Sequence, residues 1–285
     1  MRKHYLHLYI LVLLTLLGCK ETEVIPKQTP PATSVSIHLT FGNPSNATAE
    51  VSNSNNYLMV KPQYVLSYSK DRGTPNWVSW YLSNDWFGQA DRQDDFRADM
   101  TLPSDWYRVG ASAYTGSGFD RGHNTPSADR TKTVEDNSAT FLMTNMIPQA
   151  PNNNRSTWAN LEDYTRSLVE KGMEAYVIMG SYGTGGVGSN GAANTIDNGR
   201  VTVPKQIWKV IVILPVGDDD ISRVTANTRV IAVNTPNINT INSEWGMYRT
   251  SVDAIEQATG YNILSELPDQ IEEMLESKID TGPTR

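Results

Sequence analysis

The sequence predicts an α+β fold with many loops, packed as one large domain. Glycine (20 residues) and proline (15 residues) are frequent in this chain of 285, and many Asn and Ser accompany them, which argues against a helical bundle. Strand-like runs and two helical segments follow one another along the chain without an internal repeat. Apolar residues make up only 39%, but 7 tryptophans and 13 tyrosines can fill a core.

The N-terminus predicts export. Arg2 and Lys3 precede the apolar run Leu8–Leu17, which is too short for a membrane-spanning helix, so residues 1–18 are typical of a signal peptide. Cys19, the only cysteine, follows Leu-Leu-Gly and resembles the lipidated cysteine of a bacterial lipobox. We therefore expect an exported chain anchored in a membrane by a lipid on Cys19, at the outer membrane or cell surface, or held in the periplasm. The alternative is an ordinary signal peptide whose stray cysteine is lost with it.

The mature chain is expected to be a tether followed by a single domain. Residues 19–34 are rich in Pro and Thr without periodicity, as flexible tethers are, and residues 35–285 form the predicted domain. A single cysteine allows no internal disulfide. Loss of Arg2 and Lys3 with the signal changes the formal net charge from −7 to −9. This charge argues against a broadly basic nucleic-acid-binding surface, but not against an enzyme that needs a few local cations.

The first half of the domain predicts three strands and an aromatic-rich helix. Strands are predicted over Val35–Phe41, Tyr57–Val60 and Tyr64–Ser69, separated by Asn, Ser and Gly turns. In the first of these, apolar and polar residues alternate and His38 falls on the solvent face. The segment Thr74–Gly88 is predicted to become helical after its proline.

The second half predicts four more strands and two helices. The run WKVIVILP is dense in Val and Ile, which predicts an interior strand buried on both faces. One helix is expected over about Ser156–Lys171, ending at Gly172, and the other near Thr250, where Asp253 completes a capping-box pattern. The strand-like runs are AYVIMG, RVTVP, WKVIVILP and TRVIAVNTP.

The run GTGGVG, residues 183–188, satisfies the glycine pattern of dinucleotide-binding sites. Such a site needs a helix that opens at the third glycine, and the following SNGAANTIDNG has no helical periodicity. A phosphate-binding P-loop would also need a lysine that is absent here. We therefore predict a flexible surface loop.

His123 is the histidine with an unexplained setting. His4 and His7 lie in the predicted signal peptide, and His38 lies on a predicted strand. His123 ends the motif Asp-Arg-Gly-His, and near neutral pH it is the side chain best suited to act as a base without a large pKa shift. The motif alone is equally compatible with a hydrogen-bonded histidine in a polar loop.

A row of polar residues is predicted along the helix that follows. Asn154, Trp158, Glu162 and Arg166 are spaced four apart, so they lie along one helix face. An amide, a carboxylate and a guanidinium on one face are compatible with a hydrated cation beside a phosphate. An exposed Glu162–Arg166 ion pair, with Asn154 as an N-cap, explains the same residues without any function.

Four segments carry a family resemblance: GFDRGHNTPSADR, FLMTNMIPQAPNNNRSTWANLE, GTPNWVSWYL and YRTSVDAIEQATGYNILSELP. Taken together, they resemble the DNA/RNA non-specific endonucleases, the endonuclease G-like family of the ββα-metal superfamily. The resemblance covers about Leu39 to Lys278, and the tether and the GTGGVG run lie outside it. It implies a central, largely antiparallel sheet flanked by helices, with a ββα active-site unit that carries His123 on its hairpin and Asn154 on its helix.

The resemblance also implies a role for each matched position. His123 corresponds to the general base and Asn154 to the single protein ligand of Mg²⁺, with Mn²⁺ as the alternative ion. Glu162 corresponds to the carboxylate that orients the water around the metal. The remaining assignments are Arg121 near the site, Arg92 (or Arg97) as the phosphate clamp, and Asn145, Gln149 and Arg166 as supporting residues.

These roles predict a sugar-non-specific endonuclease that hydrolyses DNA and RNA to 5′-phosphate ends. The residue types suit that chemistry, since imidazole can activate water, arginine neutralises phosphoryl oxygens and Mg²⁺ prefers oxygen ligands. Two alternatives stay open. One is a non-catalytic surface lipoprotein that binds a polymer, and the other is a phosphodiesterase of the same fold restricted to nucleotides.

Overall fold

The computed structural model describes residues 36–285. The predicted signal peptide (residues 1–18), Cys19 and the tether (residues 19–34) lie outside the described residues and stay predictions. Over residues 36–285, no helix combines the length and the apolar character that a bilayer crossing requires.

The strands of the described residues fall into one large sheet and three two-stranded ribbons. In chain order they are β1 Tyr57–Val60, β2 Val65–Ser69, β3 Thr74–Leu82, β4 Asp120–His123, β5 Met146–Gln149, β6 Met173–Tyr182, β7 Gly186–Gly188, β8 Gly191–Ala193, β9 Thr195–Ile196, β10 Val201–Thr202, β11 Gln206–Pro215, β12 Arg229–Pro236 and β13 Arg249–Thr250.

The large sheet has seven strands in the order β1-β2-β3-β6-β11-β12-β13, and every neighbouring pair is antiparallel. The predicted central antiparallel sheet is therefore confirmed. Strand β11, the Val/Ile-dense run, lies inside the sheet and is buried on both faces, as predicted. Both faces of β11 are buried because successive side chains point to opposite faces of the sheet. Ile207 and Ile211 pack into the core on one face, and Val210 and Val212 pack into the core on the other.

Helices flank the sheet on both faces. Residues of α2 pack into the core that contains Ile207, and residues of α4 and α5 pack into the core that contains Val210. The α-helices are α1 Val134–Ala139, α2 Ala159–Val169, α3 Asp220–Arg223, α4 Val252–Thr259 and α5 Asp269–Glu276. A π-helical segment, Asn153–Trp158, leads directly into α2, and short 3₁₀ turns complete the helical structure.

The predicted strand Val35–Phe41 is wrong. Residues Ile37–Leu39 form a 3₁₀ turn, and His38 is buried rather than solvent-facing. The His38 ring lies within hydrogen-bonding distance of the Pro62 carbonyl oxygen and the Tyr81 backbone nitrogen. A polar ring can be buried when both of its nitrogens find partners, and the alternation of residue types could not reveal those distant partners.

The predicted helix in Thr74–Gly88 is also wrong, because Thr74–Leu82 is strand β3. This strand lies between β2 and β6, and its aromatic side chains fill the cores on opposite faces, Trp77 on one and Trp80 on the other. Pro75 is tolerated because the pairing register with β2 shifts beside it. Aromatic residues favour strands when neighbouring strands are available to pack against them.

Three smaller predictions are refined by the structure. Helix α4 is capped by Ser251, whose hydroxyl accepts a hydrogen bond from the Ala254 amide, and not by Thr250. The run RVTVP contributes only the two-residue strand β10. The glycine run 183–188 ends in β7, which pairs with β8, and no helix follows it, so a dinucleotide-binding helix is absent from this described segment.

Candidate active site

Strands β4 and β5 form an antiparallel pair that leads into the π-helical segment and α2. His123 is the last residue of β4, and Asn154 lies in the first turn of the π-helical segment. The predicted ββα unit is therefore confirmed. The first turns of its helix contain the π-helical segment, which the spacing of the polar row did not reveal and which is frequent at functional sites.

Gly122 allows β4 and β5 to approach each other closely. A Cβ atom at this position would lie 2.3 Å from the Oε1 atom of Gln149, so any larger residue would displace that side chain. Gln149 is fully buried, and its Nε2 donates to the Oδ1 atom of Asn153 at 3.1 Å. Gln149 thus joins β5 to the start of the π-helical segment.

Asp120 fixes the orientation of Asn154. The Asn154 Nδ2 donates to Asp120 Oδ2 at 2.9 Å, and Arg155 binds the same carboxylate through two nitrogens at 2.8 and 2.6 Å. Because an ionised carboxylate only accepts hydrogen bonds, the amide nitrogen must face Asp120 and the amide oxygen must face away from it. Asp120 is the first residue of the Asp-Arg-Gly-His motif, and the motif alone did not reveal this contact with Asn154.

A cleft of about 440 Å³ opens beside Asp120 and Asn154. Three of its side chains are arginines, which makes it a local concentration of positive charge on an acidic protein. We call it the arginine cleft, and its lining residues are Arg92, Phe96, Tyr114, Thr115, Phe119, Asp120, Arg121, Asn154 and Arg155.

Two phenylalanines connect His123 to this cleft. The Phe96 and Phe141 rings meet edge to face at 4.9 Å, and the His123 ring lies 5.6 Å from the first and 5.0 Å from the second. The Arg121 guanidinium lies 4.7 Å from the Phe96 ring centre, and the Arg92 guanidinium lies 4.9 Å from that of Phe141. His123 and two arginines therefore surround one aromatic pair.

His123 is electrically neutral at neutral pH in this setting. Burial and, to a smaller degree, the positive charge of Arg92 lower its pKa to about 3. Although the residue is only half-buried, its Nε2 atom is buried and has no hydrogen-bond partner among the described residues. Only the neutral imidazole can accept a proton, and the same burial that keeps the ring neutral also weakens it as a base.

The structure separates Arg92 from Arg97. Arg92 lines the arginine cleft, where its guanidinium also bonds Ser127 and Asp94. Arg97 bonds Asp95 and the Ser138 carbonyl instead, and it lines a different cavity. The geometry thus favours Arg92 as the clamp.

Asn145 is a fully buried residue of the loop between β4 and β5. Its Nδ2 donates to the carbonyl oxygens of Thr125 and Thr140, and its Oδ1 accepts from the Thr125 amide. Asn145 does not line the arginine cleft. It holds the chain directly after His123, which is a supporting contact.

Glu162 and Arg166 do not form the exposed ion pair of the alternative explanation. Glu162 accepts a hydrogen bond from Lys209 at 3.2 Å, and Arg166 bonds Asp129 and Asp163. Neither residue lines the arginine cleft, and the Trp158 side chain between Asn154 and Glu162 is buried. The structure therefore does not bring the whole predicted row to one open surface.

Residues of the cleft fit a hydrated hard cation. The Asn154 Oδ1 atom accepts no hydrogen bond from the described residues, and Asp120 holds its amide in one orientation. Mg²⁺ prefers oxygen ligands and keeps several waters, so a single amide oxygen with a bound phosphate is a sufficient donor set. Among the described residues, one group of three carboxylates could also hold an ion, Asp253, Glu256 and Glu276, and it does not involve the cleft.

Comparison with known proteins identifies the family of this chain. The sequence profile of the DNA/RNA non-specific endonuclease family matches residues 42–270. The chain is 51% identical to a nuclease from a Nostoc species, over 93% of this chain and 94% of the relative. It is 30% identical to nuclease C1 of Cunninghamella echinulata, over 80% and 88%, and 30% identical to human mitochondrial endonuclease G, over 71% and 68%.

A solved structure shares the fold. The crystal structure of an EndoG/EndoGI complex superposes with a TM-score of 0.66, covering 83% of this chain and 94% of the other at 24% identity. This agreement supports the architecture described above.

Proposed function

This chain belongs to the DNA/RNA non-specific endonuclease family, and we propose that it is a Mg²⁺-dependent endonuclease that hydrolyses DNA and RNA to 5′-phosphate ends. One observation carries the proposal. A neutral His123 with an unpartnered Nε2 packs against the aromatic pair beside a cleft that holds three arginines and an oriented asparagine.

In the proposed mechanism, His123 takes a proton from the attacking water. General-base catalysis of this kind contributes roughly 10²–10⁴-fold to the rate. The low pKa of His123 keeps it in the neutral, proton-accepting form at neutral pH, and the aromatic pair restricts the orientation of its ring.

Arg92 and Arg121 place fixed positive charges where phosphoryl oxygens become more negative during the reaction. Arg121 is held by two hydrogen bonds to the Ala111 carbonyl oxygen, at 3.1 and 3.0 Å, and by the Phe96 ring. A cation that is already positioned needs little reorganisation when the phosphate binds.

Asn154 Oδ1 would hold the hydrated Mg²⁺, with Mn²⁺ as the alternative ion, and Asp120 keeps the amide turned for that contact. When bound, the ion would supply charge neutralisation at the phosphate and help for the leaving oxygen. Glu162 would orient water around the ion, the role that the family resemblance implies for it.

Cleft residues that contact phosphate, and not the edges of bases, transmit little sequence information. Low sequence specificity and tolerance of both sugars follow from such contacts.

We also propose that the protein is exported and anchored through a lipid on Cys19, which the N-terminal sequence supports. Mass spectrometry of the mature N-terminus tests this, and an unmodified Cys19 or its absence would contradict it.

The function is tested with the purified mature chain, circular plasmid and RNA, in Mg²⁺ or in EDTA. We expect nicking and degradation of both polymers in Mg²⁺, and neither in EDTA. His123→Ala should abolish both activities while circular dichroism shows a folded protein. Intact plasmid with cleavage of mononucleotide diesters would instead support the nucleotide phosphodiesterase. Absence of any turnover would support the polymer-binding lipoprotein.

A further inference from the structure

Lys209 is a buried cation that the proposed mechanism does not use. It lies on the interior strand β11, and the residue is only 1% exposed. On the same face of the strand, two residues to either side, stand Ile207 and Ile211, both fully buried. Lysine is almost never fully buried without a charged partner, so its surroundings require an explanation.

Glu162 is the partner of Lys209. The Lys209 Nζ lies 3.2 Å from the Glu162 Oε1, and two tryptophan rings enclose the ammonium, Trp158 at 5.0 Å and Trp80 at 5.5 Å from their centres. The rings shield the Lys209 ammonium from water and add cation–π attraction, so solvent screens its charge weakly. No second carboxylate among the described residues forms a salt bridge with Lys209.

Other charges near Glu162 are already engaged elsewhere. Arg166, on the same helix, bonds Asp129 and Asp163. Asp129 accepts from the Trp80 indole nitrogen as well, so it is held in the 3₁₀ turn Ser127–Asp129. Lys209 is consequently the one hydrogen-bond donor to the Glu162 side chain among the described residues.

We propose that Lys209 is a positioning residue of the active site, which holds Glu162 ionised and directs its second carboxylate oxygen toward water. The inference rests on the proposed function, since it assigns Glu162 the water-orienting role. The Lys209 bond occupies Oε1, and Oε2 accepts no hydrogen bond from the described residues. Neither Lys209 nor Glu162 lines the arginine cleft, so Lys209 acts through Glu162 and the water that Glu162 orients.

The electrostatics agree with this geometry. Burial raises the pKa of Glu162, while Lys209 and Arg166 lower it and Asp129 raises it. Loss of the Lys209 charge would leave burial less opposed and shift the carboxyl group toward its neutral form. A buried ion pair contributes little net stability compared with apolar residues of similar volume, so stability alone is a weak reason for a lysine at this position.

The first experiment uses metal-free protein and requires no activity. The side-chain carboxyl carbon of Glu162 is titrated by NMR in the full mature chain, with its signal assigned by its absence in Glu162→Gln. We expect an ionised carboxylate at pH 7, and a midpoint at least about one pH unit higher in Lys209→Gln. Lys205→Gln is the matched control, because Lys205 is exposed beside the same strand and should leave the midpoint unchanged. A Glu162 that is neutral at pH 7 in the unsubstituted chain would overturn the proposal without any variant.

The second experiment is a double-mutant cycle on plasmid cleavage. Lys209→Gln should lower kcat about tenfold or more with KM unchanged, and should move the acidic limb of the pH profile to higher pH. In the Glu162→Gln background the same substitution should change kcat less than about twofold, because its effect passes through Glu162. Equal losses in both backgrounds would show a purely structural lysine and overturn the proposal. If Lys209→Gln does not fold, Lys209→Met replaces it in both experiments.

The two proposals fail in different ways. An inactive unsubstituted chain would reject the nuclease function but leave the NMR comparison between Lys209→Gln and Lys205→Gln valid. An active nuclease in which Lys209→Gln moves neither the Glu162 midpoint nor kcat would reject the positioning role alone.

Discussion

His38 and His123 are two histidines in low-polarity surroundings with very different hydrogen bonding. The His38 ring donates from Nε2 to the Pro62 carbonyl oxygen at 2.9 Å and accepts at Nδ1 from the Tyr81 amide at 3.1 Å. Its pKa is lowered to about 4, mainly by burial, against the opposing effect of the Pro62 bond. Both ring nitrogens are therefore used by the fold.

His123 has a similarly lowered pKa, about 3, but its Nε2 has no partner among the described residues. The His123 ring also lies beside Phe96 and Phe141, and each of these rings contacts the guanidinium of one arginine of the cleft. A shifted pKa thus reports burial in both regions. The unpartnered nitrogen and the neighbouring cations are what distinguish the candidate base from the structural histidine.

The largest expected effect tests the cations of the His123 region. Arg92→Ala should lower kcat/KM for plasmid cleavage by about 10²–10³-fold, because it removes a fixed charge from the cleft. Arg97→Ala is the matched control, since Arg97 lines another cavity, and it should change kcat/KM by less than about threefold. Steady-state kinetics of both variants provides the measurement, and equal losses would contradict the assignment of the clamp.

A smaller effect is expected on stability in the His38 region. His38→Ala should reduce the free energy of unfolding by about 2–3 kcal/mol, because it creates a cavity and leaves the Pro62 and Tyr81 backbone groups unpaired. The specific activity of the folded variant should stay unchanged. Urea denaturation and plasmid assays measure the two quantities. Loss of activity in fully folded His38→Ala would break the contrast between the two histidines.

The smallest expected effect is a change in how stability depends on pH. Both histidines have folded-state pKa values below the model value of 6.5, so the native state binds fewer protons than the unfolded state. Their contribution is fully present above pH 6.5 and is lost as pH falls toward about 4 for His38 and about 3 for His123. By linkage, each should cost about 2 kcal/mol of stability at pH 5 relative to neutral pH.

Comparison of variants isolates this effect from other groups. The pKa of Glu276 is raised to about 8, first by burial, and it acts in the opposite direction because its stabilising contribution is lost as pH rises. Denaturation between pH 7 and pH 5 should show a shallower loss of stability in His38→Ala and in His123→Ala than in the unsubstituted chain. Identical slopes in all three proteins would contradict the lowered pKa values.

Several elements could be predicted from local pattern. Strands β6, β11 and β12 were predicted because long Val- and Ile-rich runs have few other stable conformations in a core. Strand β3 was mispredicted because its aromatic residues are compatible with a helix until β2 and β6 are known to flank it. The site residues were identified by the resemblance of their motifs, and the confirmed ββα unit places His123 and Asn154 on its strand and helix.

The sequence by itself determined the fold class, the interior strand β11 and the family motif that contains His123. These features depend on the order and type of neighbouring residues. Only the tertiary structure decided that His38 is buried and that Arg92, not Arg97, lines the cleft. It also decided that Lys209 forms a salt bridge with Glu162. The physical reason is distance along the chain. Partners 47 residues apart, as Glu162 and Lys209 are, meet through the pairing of strands and the packing of a helix on them, which no local pattern encodes.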